Sequence, residues 1–237
     1  AMRAIAQMIS YDIPLVLSTI PVIMMAGSLS LPDIVNAQEG YHFGVLPRWF
    51  ILTPWGIAGS ILFLIAAMAE SNRSPFDLPE GESEIIAGHL TEYSGFKFAM
   101  FFMSEYIGLF AASAVGVTLF LGGWHAPFPF LEWIPSYIWF FSKLIGLIFL
   151  YIWIRGTLPR IRVDHLMNLA WKFLVPLSLL NLGVCALWHY SRSWSFPGGQ
   201  GFRWLLCFAI IASAYEVLGR KLSSSKTMHQ RVYRFVE

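Results

Sequence analysis

"TPWGIAGSILFLIAAMAE", residues 53–70, carries one charged side chain, and that residue, Glu70, closes it. Thr53 suits a helix N-cap, and Pro54 suits the first turn, where no backbone donor is required. The apolar run that follows is close to the roughly 20 residues that span a bilayer as a helix. Further runs of this kind lie at about 11–31, 97–122, 136–155, 169–190 and 202–219. Helices satisfy their own backbone groups in lipid, so the pattern predicts an all-α polytopic membrane protein. It would form one membrane domain over 1–237, with about six transmembrane helices, a structured inside loop at 71–96 and a basic inside tail at 220–237.

Composition agrees. Of 237 residues, 57% are hydrophobic and 13% charged, about half the charged share of a soluble domain, roughly 25%. The net charge of +2 gives no reason to expect a nucleic-acid partner. Cys185 and Cys207 both fall inside apolar runs, which argues against a disulfide framework and offers no metal spacing. A cleaved signal would need Arg3 as its basic start and Ala26-Gly27-Ser28 as its small-residue site. The apolar run between them is too long for that. Pro14, Pro21 and Pro176 lie inside spans and are expected to kink them.

Basic residues set an orientation. Twelve fall on the side of the N-terminus: Arg3, Arg73, Lys97, Arg155, Arg160, Arg162, Lys172, Arg220, Lys221, Lys226, Arg231 and Arg234. Three fall on the other side: Arg48, Arg192 and Arg203. The positive-inside rule makes the first side cytoplasm or matrix, in a bacterial plasma membrane or an organelle inner membrane. "GGWHAPFPFLEW", 122–133, then reads as an outside turn whose two Trp anchor the interface. The basic tail reads as a solvated end facing phospholipid.

The inside segment "AESNRSPFDLPEGESEIIAGHLTEYSG", 69–95, is rich in acids. Asp77 can cap a helix running to about Ala87, with Pro79 in its first turn and Glu80 completing a capping box. Glu80 and Glu84 would then stack at i,i+4, which costs a few tenths of a kcal/mol. Capping leaves Glu82, Glu84 and Glu92 unexplained. Arg73, beside Pro75 and Phe76, suits a polar headgroup with an apolar tail, or an ion pair with Asp77. Three more acids approach from the same side. Asp12 is expected at the inner start of the first span, Glu70 ends the second, and Glu105 lies about 12 Å into the third at 1.5 Å per residue. Carboxylates at such depth are costly and tend to face a hydrated cavity or a partner. The cluster predicts a proton-exchanging cavity below the loop, since burial and like charges both favour a carboxyl that can hold a proton. The plainer reading is that Asp12 and Glu70 sit at the interface.

Lys143, inside a span near its outer end, either lends charge to a proton path or reaches back to the interface with its stem. Glu216 is explained by an i,i+4 ion pair with Arg220. His89 and His165 read as surface residues. No Gly-rich phosphate loop, GxSxG or HExxH occurs.

The 69–95 segment closely resembles the signature loop of the H-subunit (subunit 1) family of respiratory complex I, the NADH:quinone oxidoreductases. "RAIAQMISYD" (3–12), "FFMSEY" (101–106) and "RVDHLMNLAWKFLVPLSLLN" (162–181) resemble further blocks of that family in the same order. The resemblance implies a membrane subunit of a proton-translocating enzyme that helps form the quinone chamber and couples quinone reduction to proton translocation. It would bind no redox cofactor itself. NADH, FMN and iron–sulfur clusters would sit in partner subunits, and quinone would be the substrate. Peripheral subunits bearing the terminal iron–sulfur cluster, antiporter-like membrane subunits and lipid would be its partners. Residue by residue, Glu70, Arg73, Asp77, Glu82, Glu84, Glu92 and Glu105 stand where the family has its functional charged residues. The chamber is then expected to use Arg73, Asp77, Glu82 and Glu84, with Phe76 added for its place beside Arg73. Proton coupling is expected to use Glu70, Glu92 and Glu105, with Asp12 and Lys143 added for their positions in the spans. Arg162, Asp164 and Lys172 form an inner charged block. Asp12 departs from the family's usual "SYE" by one methylene. The family has further helices before "RAIAQMISYD", so this chain is expected to be a fragment or to have a partner that supplies them. The span at 202–219 is an extra helix of some relatives.

Other functions predict other behaviour. The membrane anchor of group 4 hydrogenases shares "PFD" and "EYSG" but less of "LPEGESEIIAG", and it would be quinone-independent. A secondary transporter would carry substrate-driven proton flux alone. A structural anchor would tolerate charge-neutral changes at Glu84 or Glu105.

Overall fold

The structure, a computed structural model, describes residues 2–42, 46–71, 75–76, 93–159, 161–191 and 199–224. The chain folds as helices joined by short connections: α1 (Met2–Ala26), α2 (Leu31–Asn36), α3 (Pro54–Glu70), α4 (Phe96–Phe120), α5 (Ser136–Thr157), α6 (Val163–Leu169), α7 (Val175–Tyr190) and α8 (Gly199–Ser224). A two-stranded antiparallel hairpin pairs Tyr41–His42 with Leu46–Pro47 between α2 and α3. The fold is the all-α membrane type that the apolar runs predict. Five helical stretches are long and apolar enough to cross a membrane: Ala6–Ala26, Phe96–Phe120, Ser136–Thr157, Asp164–Tyr190 and Gly201–Arg220.

α3 is different. Its 17 residues rise about 25 Å, short of the roughly 30 Å hydrocarbon core. Ten of those residues are buried, and the helix packs against α1, α4, α7 and α8. A helix apolar all round belongs in the middle of a bundle, and α3 occupies that place. α5 is the opposite case, with Phe141, Ile145, Phe149, Ile152 and Trp153 all more than half exposed. In a membrane that apolar face meets lipid or a neighbouring subunit.

The ends of the helices follow from local chemistry. Thr53 caps α3 as the sequence predicts, its Oγ1 accepting from the Gly56 N–H at 3.2 Å. α1 stops at Ala26, five residues before the expected boundary, because Gly27 takes φ +71°. Its N–H still donates to Ile23 O at 2.8 Å, closing the helix in a left-handed turn that glycine adopts without strain. α1 also starts earlier than expected, so Asp12 does not lie at the helix start. It lies ten residues along α1, about 15 Å from its first residue, because nothing in "RAIAQMIS" breaks a helix. α6 and α7 are joined by one turn of π-helix, Ala170–Leu174. Pro176, two residues beyond it, cannot donate to the carbonyl four residues back, that of Lys172 within the turn.

Two cores stack along the bundle. One lies at the end from which 71–95 emerges, the loop end. It holds Tyr11, Met68, Ala69, Phe76, Leu166, Ala170 and Leu174. The other, at the opposite or cap end, holds Val22, Ile34, Phe50, Trp55, Phe63, Phe120, Val184 and Cys185. Both cysteines are free and buried, and Cys185 Sγ donates to the Pro21 carbonyl at 3.5 Å.

The cap end is clamped by buried Gln38. Its Nε2 donates to the carbonyls of Ile34, Thr118 and Leu119 (3.2, 3.0 and 3.2 Å). Its Oε1 accepts from the N–H groups of Phe50 and Gly122 (3.2 and 3.1 Å). Gly122 has φ +66°, and a Cβ there would lie 2.5 Å from the Trp49 ring, so only glycine fits.

Candidate functional site

The loop end is organised by one face of α1. Gln7, Ser10, Tyr11, Pro14, Ser18, Pro21 and Val22 are buried, a stripe at helical i,i+3/i+4 spacing. Polar residues on such a stripe in an apolar helix must find partners inside the protein. Gln7 Nε2 donates to Phe76 O at 2.9 Å and to Ala69 O at 3.3 Å. It thereby ties α1 both to the end of α3 and to the chain just beyond it. Tyr11 OH donates to Leu166 O at 3.1 Å. Its ring meets Phe76 edge-on, with centroids 5.5 Å apart. Ser10 Oγ donates to Ala6 O at 2.6 Å and accepts from Trp171 Nε1 at 3.1 Å.

The same knot holds the segment before α6. Ile161 N–H donates to Pro75 O at 3.1 Å. Four parts of the chain therefore meet at Phe76: α1, the end of α3, residues 75–76, and the 161–171 stretch. Phe76 is 5% exposed. It serves as the anchor from which the acidic segment continues.

The acids take their places around this knot. Glu70 is the last residue of α3 and is exposed. Asp12, on the exposed side of α1, lies near enough for its charge to act on Glu70. Glu105 stands on α4 about 13 Å from its first residue and is half-buried. Arg162 precedes α6 as its N-cap residue. Asp164 sits in the first turn of α6, where a negative charge complements the helix dipole. Arg162, Asp164 and Lys172 are exposed, on the stretch that Ile161 fastens to Pro75. Arg73, Asp77, Glu82, Glu84 and Glu92 lie outside the described residues, as does the predicted helix from Asp77 to Ala87.

Lys143 belongs to the other end. Its Nζ donates to the carbonyls of Leu121, Gly123 and His125 at 2.7, 3.0 and 2.7 Å, and it lies 4.1 Å from the centre of the Trp49 ring. These carbonyls lie at and just beyond the C-terminus of α4, where an ammonium has the favourable dipole sign. The contacts are those of a side chain reaching toward the cap end. Glu216 makes its ion pair with Arg220 at 3.6 Å. Among the described residues no group of three or more His, Cys, Asp or Glu side chains is arranged to hold a metal ion.

Sequence reasoning passed over Gln7, Tyr11 and Trp171. The signal was present in "RAIAQMISYD", where a glutamine and a tyrosine fall at i,i+4 on one side of an apolar segment.

A sequence profile of the NADH dehydrogenase family matches residues 1–186. The chain belongs to this family. All the loop-end residues above lie within the match, and α8 lies beyond it. Family members with curated names agree closely. The NADH-quinone oxidoreductase H subunit of Geobacillus kaustophilus is 51% identical over 195 residues, covering 82% of this chain and 55% of the relative. The H subunit of Anoxybacillus flavithermus is 53% identical over 186 residues, 78% of this chain and 53% of the relative. That of Bacillus mycoides is 52% identical over 186 residues, with 78% and 53% coverage. The chain thus spans about half the length of the relatives it matches, and as a member of this family with membrane-spanning helices it is an integral membrane protein.

Proposed function

We propose that this chain is part of the membrane subunit of a proton-translocating NADH:quinone oxidoreductase. In this reading it walls the quinone chamber and starts the route that couples quinone reduction to proton movement. The relatives' names, all those of NADH-quinone oxidoreductase H subunits, favour this over a hydrogenase anchor. The observation that carries the site is the Phe76 knot. Gln7 and Tyr11 hold the start of the acidic segment against α1, at the end of the bundle where Glu70 closes α3 within the electrostatic reach of Asp12.

The chemistry follows from residue types. A quinone has carbonyl acceptors at one end and an apolar tail. Arg73 would supply donors to the headgroup, with Asp77, Glu82 and Glu84 around it and Phe76 anchoring the wall from behind. Quinone reduction takes up protons and changes the local charge. Asp12 and Glu70, near enough to feel each other's charge, would exchange protons with the chamber, and Glu105 and Glu92 would extend the relay. Lys143 is left out of this route, because its ammonium is committed to three carbonyls at the far end. Arg162, Asp164 and Lys172 would form the surface on which a peripheral subunit docks. Electrons would come from NADH through FMN and iron–sulfur clusters carried by partner subunits, with antiporter-like subunits receiving the coupling signal. The loop end would face cytoplasm or matrix, as the distribution of Lys and Arg indicates.

Glu105→Gln in the assembled complex tests the relay. The expected result is slower quinone reduction with fewer protons moved per NADH. Wild-type rate and wild-type stoichiometry together would overturn it.

A further inference from the structure

A pocket of about 260 Å³ opens at the cap end, far from the Phe76 knot. Glu39, Tyr41, Trp124, His125, Glu132 and Trp139 line it, and nothing in the proposed quinone chemistry uses it. Its walls are preformed. Gln38 clamps the backbone behind it, and Lys143 ties down the carbonyl of His125.

The charged groups facing this pocket are acceptors, and its lining also holds the indole N–H groups of Trp49 and Trp139, buried and without a partner among the described residues. Glu39 and Glu132 are exposed carboxylates, and neither has an ion-pair partner among the described residues. His125 hydrogen-bonds to the Val35 backbone, while its Nε2 is buried and without a partner among the described residues. That bond is therefore made by Nδ1–H, which leaves Nε2 as an acceptor. Burial, with Lys143 nearby, lowers the imidazole's proton affinity despite Glu39 and the Val35 bond, so the neutral ring is the form that faces the pocket. Tyr41 is engaged, with its OH 3.5 Å from Ala126 O and hydrogen-bonded to Glu132. Two cations stand near. Lys143 is saturated by its carbonyls and the Trp49 ring, and Arg48 lies at the rim with its stem over Gly40.

Two exposed carboxylates and aromatic walls, beside an uncharged imidazole, form a receptor for a small cation that donates hydrogen bonds, since aromatic faces attract ammonium groups. The pocket also lies at the ends of α4 and α5, level with Phe130 and Trp133, which are 73% and 82% exposed. Exposed aromatics at span ends mark the lipid headgroup layer. We propose that this pocket is a site for a primary ammonium group, the ethanolamine headgroup of a membrane phospholipid. The ammonium sits between Glu39 and Glu132 against the aromatic walls, and Arg48 at the rim offers a donor to the phosphodiester. A choline headgroup has no N–H to give the two carboxylates, and a glycerol headgroup has no cation.

The test uses the complete chain in nanodiscs containing equal amounts of ethanolamine, choline and glycerol phospholipids, with retained lipid read by native mass spectrometry. The wild-type chain is expected to retain the ethanolamine lipid about tenfold over the others, a difference of roughly 1.4 kcal/mol. Glu39→Gln and Glu132→Gln are expected to lose that preference while keeping the wild-type melting temperature, because both side chains are on the surface. Soluble phosphoethanolamine, but not phosphocholine or inorganic phosphate, is expected to change tryptophan fluorescence in detergent. Equal retention of the three headgroups would overturn the proposal, as would a preference that survives both substitutions. So would an assembled complex in which a side chain of a neighbouring subunit fills the pocket.

Discussion

Replacing Gln7 by Leu removes the side chain that fastens residues 75–76 to α1 and leaves the volume nearly filled. The two hydrogen bonds are not equal. Ala69 O, at 3.3 Å, holds the longer and weaker of the two bonds and sits at the helix end. Phe76 O, at 2.9 Å, loses its donor in a buried site, which costs about 1–3 kcal/mol. The loss is partly offset, because Gln7 Oε1 is itself buried with no partner among the described residues, and leucine removes that burden. A net cost of about 1–2 kcal/mol weakens docking of the segment roughly five- to thirtyfold. The readout is the Ile161 amide, whose N–H donates to Pro75 O at 3.1 Å. Its hydrogen exchange in the assembled complex should accelerate by about that factor, with a slower quinone-reductase rate alongside. Unchanged exchange at Ile161 together with an unchanged rate would refute the anchoring role of Gln7.

Two further outcomes follow from the cap end. Lys143→Met strips a charged donor from three carbonyls and should cost roughly 3 kcal/mol. That appears as a lower melting temperature in detergent, with wild-type proton stoichiometry in the protein that still assembles, and an unaltered melting temperature would contradict the capping role. Tyr41, outside the spans, has its hydroxyl pKa raised from 10.0 to about 12 by burial and by Glu132. A group with a raised folded pKa stabilises fully below its unfolded value and loses that contribution as pH rises. The stability Tyr41 adds is therefore complete below about pH 10 and gone above about 12, and ultraviolet titration that ionises Tyr41 near 10 would count against it.

What the sequence made legible was what short-range patterns encode. Apolar runs marked the long helices, although α3, expected as one of six spans, is shorter than a span and buried. Thr53-Pro54 marked the start of α3 to the residue. The pairing of Glu216 with Arg220 was readable because it lies within one turn. The misplaced end of α1 has a local cause: Gly27 sits among apolar neighbours, and hydropathy does not register a left-handed turn. Lys143 was ambiguous because its partners lie some 20 residues away, in the turn just beyond α4. Gln7 and Gln38 escaped notice for a related reason. An uncharged amide in a greasy stretch looks unremarkable until the carbonyls it holds, 69 and 80 residues distant, are brought to it. At the loop end the acids were visible as acids, whereas the residues that support them were not.

The claim that the segment beginning at Phe76 walls a quinone chamber is tested most directly by Arg73→Ala in the assembled complex, titrated with a quinone-analogue inhibitor. The account predicts a clearly weaker inhibitor, because the headgroup loses its guanidinium donor while the Phe76 anchor stays intact. An inhibition curve that overlays the wild-type curve, in a complex of normal composition, would contradict it.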